Sequence, residues 1–309
     1  MMDFPVQFPP NTGLATIDPV KGPQLARQEI HMDCLRLDKI HPVISGNKWF
    51  KLQHYLQKAA GPPPHQILTF GGAWSNHIIA AAYASRLAGL PAIGIIRGER
   101  PPVLSTTLQA ASSYGMQLEF ISREEYDQKD QPSFGEQLLQ RYPGACIIPE
   151  GGAGPEGVEG CRSILEGIDY HSYSHILCAI GTGTMYRGLS QVLRPEQTLI
   201  GVPVLKGFTD LSALHRPGLP EENPSPFRKL ASDYHFGGYA KKTPPLLAFM
   251  NQLYQVTGIP TDFVYTGKLF FAAMDMVQKD LFPAGSRLLL IHSGGLQGNS
   301  SLTKGELVF

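Results

Sequence analysis

Lys48 follows a Ser45-Gly46-Asn47 turn and opens a run with apolar residues at Trp49, Leu52, Tyr55, Leu56 and Ala59. That spacing is the signature of an amphipathic helix. Ser45 or Asn47 is positioned to cap it, which sets Lys48 in the first turn, where the helix dipole favours a neutral amine. Burial acts in the same direction, and a neutral amine is the nucleophile that forms a Schiff base with an aldehyde. Alone, the stretch reads more simply as a solvated lysine at a helix start. Later loops give it partners.

Gly71-Gly72-Ala73-Trp74-Ser75-Asn76-His77 joins a short strand to an Ala-rich helix. Its glycines let the backbone approach a ligand, and Ser75 and Asn76 offer a helix N-terminus to an anion such as a carboxylate. A plain N-cap would use the same residue types. Gly181-Thr182-Gly183-Thr184 follows an apolar strand and opens a helix. Its N–H groups and two hydroxyls suit one phosphate monoester. Neither GxxxxGK[ST] nor GxGxxG is matched there, which disfavours a nucleotide and a nicotinamide dehydrogenase. Phe263-Val264-Tyr265-Thr266-Gly267-Lys268 again reads as strand into helix. Tyr265 is a candidate proton donor and Thr266 a partner for a ring nitrogen, against the plainer reading of a core tyrosine and an N-cap. His292, before Ser293-Gly294-Gly295, is a possible acid or base, or a structural histidine.

The elements that must position these loops alternate strand and helix. Strands are expected at 29–37, 66–70, 91–97, 117–122, 145–149, 175–180, 198–205 and 287–292. Helices are expected at 75–87, 103–113, 134–142, 155–168, 246–257 and 268–279, and from Thr184 to Leu193. Residues 1–28 and 206–230 read as Pro-rich and irregular. Such alternation implies parallel sheets covered by helices, with ligands at the C-terminal ends of strands. The 309 residues carry 26 Lys plus Arg against 26 Asp plus Glu, a formal charge of zero that gives no footing for a nucleic-acid or membrane surface. Four cysteines without a CxxC pair read as buried free thiols, with no metal site. No secretory signal or apolar span is visible, so the expected location is cytoplasmic.

An early lysine, a carboxylate loop, a phosphate loop and a late ring-facing loop together make the parts of a pyridoxal 5'-phosphate site, in which the cofactor acts as electron sink for a Cα carbanion. In His41-Pro42-x-Ile44-Ser45-Gly46-Asn47-Lys48, Gly71-Gly72-x-x-Ser75-Asn76, Pro149-Glu150-Gly151-Gly152, Gly181-Thr182-Gly183-Thr184, Tyr265-Thr266-Gly267-Lys268 and His292-Ser293-Gly294-Gly295, the chain resembles the fold type II pyridoxal-phosphate enzymes. The branch is that of 1-aminocyclopropane-1-carboxylate (ACC) deaminase and D-cysteine desulfhydrase.

The resemblance implies an α/β architecture of two open, mostly parallel twisted sheets, like the tryptophan synthase β-subunit. Residues 1–49 and 161–309 would form a large domain and 50–160 a small one, with the cofactor between them and a homodimer as the assembly. It implies that Lys48 is the Schiff-base lysine and the base at Cα, that Lys51 and Gly181, Thr182, Gly183 and Thr184 hold the phosphate, and that Asn76 meets the phenolic oxygen. Ser75, Asn76 and His77 would bind the substrate carboxylate and handle protons. Tyr265 and Tyr239 match two active-site tyrosines, and Thr266 falls where the pyridine nitrogen is met. ACC deaminases resemble Tyr-Glu-Gly-Lys at that point, where a carboxylate keeps the ring protonated. A threonine is similar to the thiol-eliminating members, so α,β-elimination from D-cysteine is expected ahead of cyclopropane opening. Elimination from another β-substituted amino acid and a non-catalytic cofactor binder are the other readings. Ile78-Ile79 stands where the family has Thr-Arg, and Lys48-Trp49-Phe50-Lys51 lacks the arginine of Lys-x-Arg-Lys. Both departures flank the substrate.

Overall fold

The computed structural model describes residues 10–61, 66–211 and 225–309. Its strands are β1 (Thr16–Val20), β2 (His31–Arg36), β3 (Gln66–Gly71), β4 (Ala92–Arg97), β5 (Gln117–Ile121), β6 (Ala145–Ile148), β7 (His175–Ile180), β8 (Thr198–Pro203), β9 (Arg228–Leu230) and β10 (Arg287–His292). Its helices are α1 (Pro23–Arg27), α2 (Asn47–Ala59), α3 (Asn76–Leu87), α4 (Thr106–Ser113), α5 (Arg123–Tyr126), α6 (Pro132–Arg141), α7 (Pro155–Arg162), α8 (Thr184–Val192), α9 (Pro244–Thr257) and α10 (Thr266–Gln278).

Two sheets result. One has the order β5-β4-β3-β6 and is parallel throughout. The other runs β1-β2-β10-β7-β8-β9 and is parallel except for the β1–β2 pair. The central strands are apolar at almost every position because both faces are covered. In β10, Leu289 and Ile291 face one core, while Leu288 and Leu290 face a second that holds Leu269, Phe270, Ala273 and Val277 of α10. A third core lies between the outer face of the small sheet and Tyr126, Phe134 and Leu138.

The first core is the one that joins the sheets. Trp49, Leu52, Tyr55 and Leu56 of α2 pack into a single apolar cluster with Ile67 and Ile96 of the small sheet and Ile176 and Leu289 of the large one. Helix α7 lies against both α2 and α8. Gly160 makes that approach possible, since a Cβ there would stand 1.8 Å from the Phe50 carbonyl oxygen. The contact brings the N-termini of α2 and α8 towards one another.

Several expectations are corrected. The N-terminal stretch is not irregular throughout: Thr16–Val20 is an antiparallel edge strand, with Pro19 on the edge where its missing N–H costs no ladder bond. Residues 263–265 are a turn, because Asp262 folds back onto the following N–H groups. The helix expected over 155–168 ends at Arg162 in a 3-10 turn, where Ser163 donates to the Gly160 carbonyl. The loop expected at 206–230 contains β9, and its residues 212–224 lie outside the described part. All four cysteines are buried and free. Among the described residues no helix is long and apolar enough to cross a membrane, and no three His, Cys, Asp or Glu side chains are grouped to hold a metal.

Candidate active site

Helix α2 starts differently from its expected form. Its N-cap is Gly46, with φ +66°, and neither Ser45 nor Asn47 caps it through a side chain. Instead the Asn47 N–H donates to the Ser293 carbonyl at 3.2 Å. A Cβ at Gly46 would stand 1.8 Å from that oxygen, so only glycine lets the 293–294 segment lie across the helix end. Lys48 therefore sits in the first turn, between the end of β10 and α8. Its Nζ donates to Asn47 Oδ1 at 2.8 Å. Burial first, and then the Lys51 ammonium, pull its pKa down to about 7. A substantial fraction is then the free amine at neutral pH.

One turn on, Lys51 Nζ reaches Thr182 Oγ1 at 3.3 Å, and Thr182 Oγ1 lies 2.9 Å from Thr184 Oγ1. Gly183 takes the left-handed conformation as N-cap of α8, with φ +79°. A cation, two hydroxyls and a helix N-terminus thus meet at one point, the donor set of a phosphate site.

Across the cleft Ser75 is the N-cap of α3, its Oγ accepting from Ile78 N. Asn76 Nδ2 donates to the Gly295 carbonyl at 3.3 Å, and Asn76 Oδ1 is buried with no partner among the described residues. His77 points away, beneath the loop. The Thr69 hydroxyl gives its one proton to the Ile148 carbonyl, so His77 Nε2 must be the donor in its 2.8 Å contact with Thr69 Oγ1. The ring is then the Nε2–H tautomer, with a bare Nδ1 that has no partner among the described residues. Burial, followed by Lys48 and Lys51, lowers its pKa to about 3, so it stays neutral. A substrate at this loop would meet the His77 main chain rather than a charged imidazole.

Tyr239 and Tyr265 face each other edge to face with ring centroids 6.1 Å apart. Thr266 is fully buried, donates to Asp262 Oδ1 at 2.7 Å and accepts from Asp262 N at 2.8 Å. Its proton reaches a ring nitrogen only if that bond to Asp262 breaks. Asp262 itself was not among the expected site residues. It is fully buried, accepts from Val264 N, Tyr265 N, Thr266 N and Thr266 Oγ1, and its charge opposes the depression of the Lys48 pKa. The available signal was an Asp just before a helix, the usual composition of a cap. His292 is structural: fully buried, it sets Nδ1 3.1 Å from Asp38 Oδ1 and Nε2 2.7 Å from the Pro260 carbonyl.

The cluster fits pyridoxal phosphate on its own terms. A lysine whose amine is desolvated enough to be partly neutral at pH 7 stands beside a phosphate cup, and the unpartnered Asn76 Oδ1 lies at the same cleft. Two parallel sheets with this lysine at a helix start define a cofactor-dependent α/β enzyme of fold type II. The family model described as "Pyridoxal-phosphate dependent enzyme" matches residues 20–294, and the chain belongs to that family. The chain is 30% identical to a Thermotoga maritima protein provisionally named a 1-aminocyclopropane-1-carboxylate deaminase, over 85% of this chain and 88% of that one. It is 27% identical to a mitochondrial bifunctional D-cysteine desulfhydrase/1-aminocyclopropane-1-carboxylate deaminase of Arabidopsis thaliana, over 82% and 70%. Among solved structures, an ACC deaminase homologue superposes with a TM-score of 0.75 at 24% identity, covering 92% of this chain and 90% of that one, which shows the shared fold.

Proposed function

We propose that this protein eliminates the β-substituent and the amino group from a small amino acid, with D-cysteine as substrate: D-cysteine plus water gives pyruvate, sulfide and ammonia. The observation that carries the elimination chemistry is the buried Lys48 amine, with its pKa at about 7, next to the Lys51–Thr182–Thr184 cup. When bound, pyridoxal phosphate stabilises negative charge at the substrate Cα. Lys48 would hold the cofactor, and its free amine would take the substrate Cα proton. Lys51, Thr182, Thr184 and the N–H groups of 181–184 bind the phosphate. The α3 N-terminus, through Ser75, Asn76 and the His77 main chain, orients the substrate carboxylate. Tyr239 and Tyr265 stand ready to move a proton at the departing group.

The preference for a thiolate leaving group rests on position 266. No free carboxylate is available there, since both oxygens of Asp262 already accept from the backbone or from Thr266. A weaker electron sink suffices when the leaving group is good. The names of the relatives support a second reading, deamination of ACC to 2-oxobutanoate. The assembly is taken as a cytoplasmic homodimer with a smaller lobe of about 50–160.

The test is product analysis on purified, cofactor-loaded protein offered D-cysteine and ACC separately. Sulfide and pyruvate in equal amounts support the first reading. 2-Oxobutanoate from ACC with no sulfide from D-cysteine replaces it with the second. A cofactor spectrum without either product leaves a non-catalytic binder.

A further inference from the structure

Lys268 closes the Tyr265-Thr266-Gly267-Lys268 motif, and the roles above leave it without one. It lies on α10, its side chain fully buried. Its Nζ donates to two main-chain oxygens, the His235 carbonyl at 2.9 Å and the Gly238 carbonyl at 2.8 Å. Those carbonyls bracket a turn of unusual backbone. Phe236 and Ala240 adopt φ +52° although neither is glycine, while Gly237 and Gly238 adopt +91° and +121°. Non-glycine residues in this region are strained and persist only where surrounding contacts hold them. The turn presents Tyr239, which is 48% exposed and whose hydroxyl is hydrogen-bonded to Tyr265. Its ring faces Tyr265, the N-cap of the same helix that carries Lys268.

We propose that Lys268 is a positioning residue: its ammonium clamps the strained 235–240 turn onto α10 and so sets Tyr239 against Tyr265 over the cofactor site. Each carbonyl it binds is fixed relative to the helix, and the fixed points lie on either side of the two glycines. Asp262, the charged group in the same helix start, supplies the compensating negative potential. A neutral side chain of similar length would leave each carbonyl with only its main-chain donor, the Gly238 N–H on His235 at 3.0 Å and the Lys241 N–H on Gly238 at 3.2 Å, and release the turn from the helix. The inference rests on the reading of Tyr239 as an active-site residue.

The experiment is hydrogen exchange across 235–241 in cofactor-loaded Lys268→Met and Lys268→Arg, alongside a kinetic cycle of Lys268→Met with Tyr239→Phe. In Lys268→Met, exchange at 236–241 should quicken by about tenfold or more, since charge-assisted hydrogen bonds are lost. The cofactor absorbance should not change. kcat should fall about as far as in Tyr239→Phe with KM within about twofold, and the double variant should lose nothing further. Lys268→Arg should recover part of both the protection and kcat. Unchanged exchange at 236–241, or losses that multiply in the double variant, would overturn the clamp. If Lys268→Met does not fold, Lys268→Leu, which likewise has no donor, serves under the same criteria. If no amino acid is turned over, the proposed reaction fails while the exchange measurement still decides the role of Lys268.

Discussion

Two lysines near the cleft have their pKa lowered by desolvation, and their surroundings give them opposite work. Burial lowers both, Lys48 to about 7 and Lys268 to about 8. Lys268 donates to two carbonyls and has the Asp262 charge nearby. Lys48 donates to one side-chain amide oxygen and has a second cation, Lys51, as its next neighbour. Desolvation alone therefore does not make a nucleophile. An ammonium with two fixed acceptors is a structural clamp. One with a single short-range acceptor and a like charge beside it is ready to lose a proton and attack a carbonyl carbon.

The comparison breaks most sharply at Lys48 itself. In Lys48→Ala, turnover should fall by about 10²–10⁴ at least, the contribution of a positioned base, and the covalently held cofactor band should disappear. Turnover at the wild-type rate would remove Lys48 from the mechanism. Lys51→Met tests the like-charge contribution. It should raise the Lys48 pKa, read as an upward shift of the acidic limb of the pH–rate profile. It should also weaken cofactor binding by roughly tenfold, the loss of one hydrogen bond to a charged group. A Kd for pyridoxal phosphate equal to wild type would deny Lys51 its place at the cup. Asp262→Asn acts on both lysines at once. It removes the negative neighbour of each and turns a four-fold acceptor into a poorer one, so urea unfolding should show a loss of about 1–3 kcal/mol. A variant as stable as wild type would mean that the α10 start does not depend on this carboxylate.

Much of this site was readable because its parts obey local rules. A Gly-rich segment after an apolar run and before a helical one is a strand–loop–helix unit, and parallel α/β folds gather such loops at one edge. Lys48, Ser75, Asn76 and 181–184 follow from that rule. What was missed depends on chain segments far apart in sequence. Gly46 rather than Ser45 or Asn47 begins α2, because the Ser293 carbonyl supplies the acceptor that a side chain usually would. The inward turn of His77 is dictated by Thr69 and Ile148. Thr266 faces Asp262, not open space, because the expected strand at 263–265 is replaced by a turn around that carboxylate. Strand propensity in Phe263-Val264-Tyr265 yields there to four hydrogen bonds onto one side chain. The edge strand at Thr16–Val20 was obscured for a related reason: with one side of the strand facing solvent, Asp18 and Pro19 interrupt the apolar pattern.

The smallest effect expected separates the two lysines without any substrate. Each has a pKa below that of an unfolded lysine, near 10.5. Between the folded and unfolded values the unfolded chain keeps a proton that the folded protein has released. Stability then rises with pH, because the unfolded state binds more protons. For Lys48 the rise begins near pH 7 and for Lys268 near pH 8. Above pH 10 Tyr265, whose phenol burial pushes upward, acts in the opposite sense, so the useful range ends there. Cofactor-free protein should therefore gain roughly 2–6 °C in Tm from pH 7 to 9 at constant ionic strength. Lys48→Met should remove the rise below pH 8 and about halve the slope above it, while Lys268→Met should leave the rise below pH 8 and about halve the slope above it. A Lys48→Met protein with the full wild-type rise would place the titrating amine elsewhere and dissolve the distinction between the two lysines.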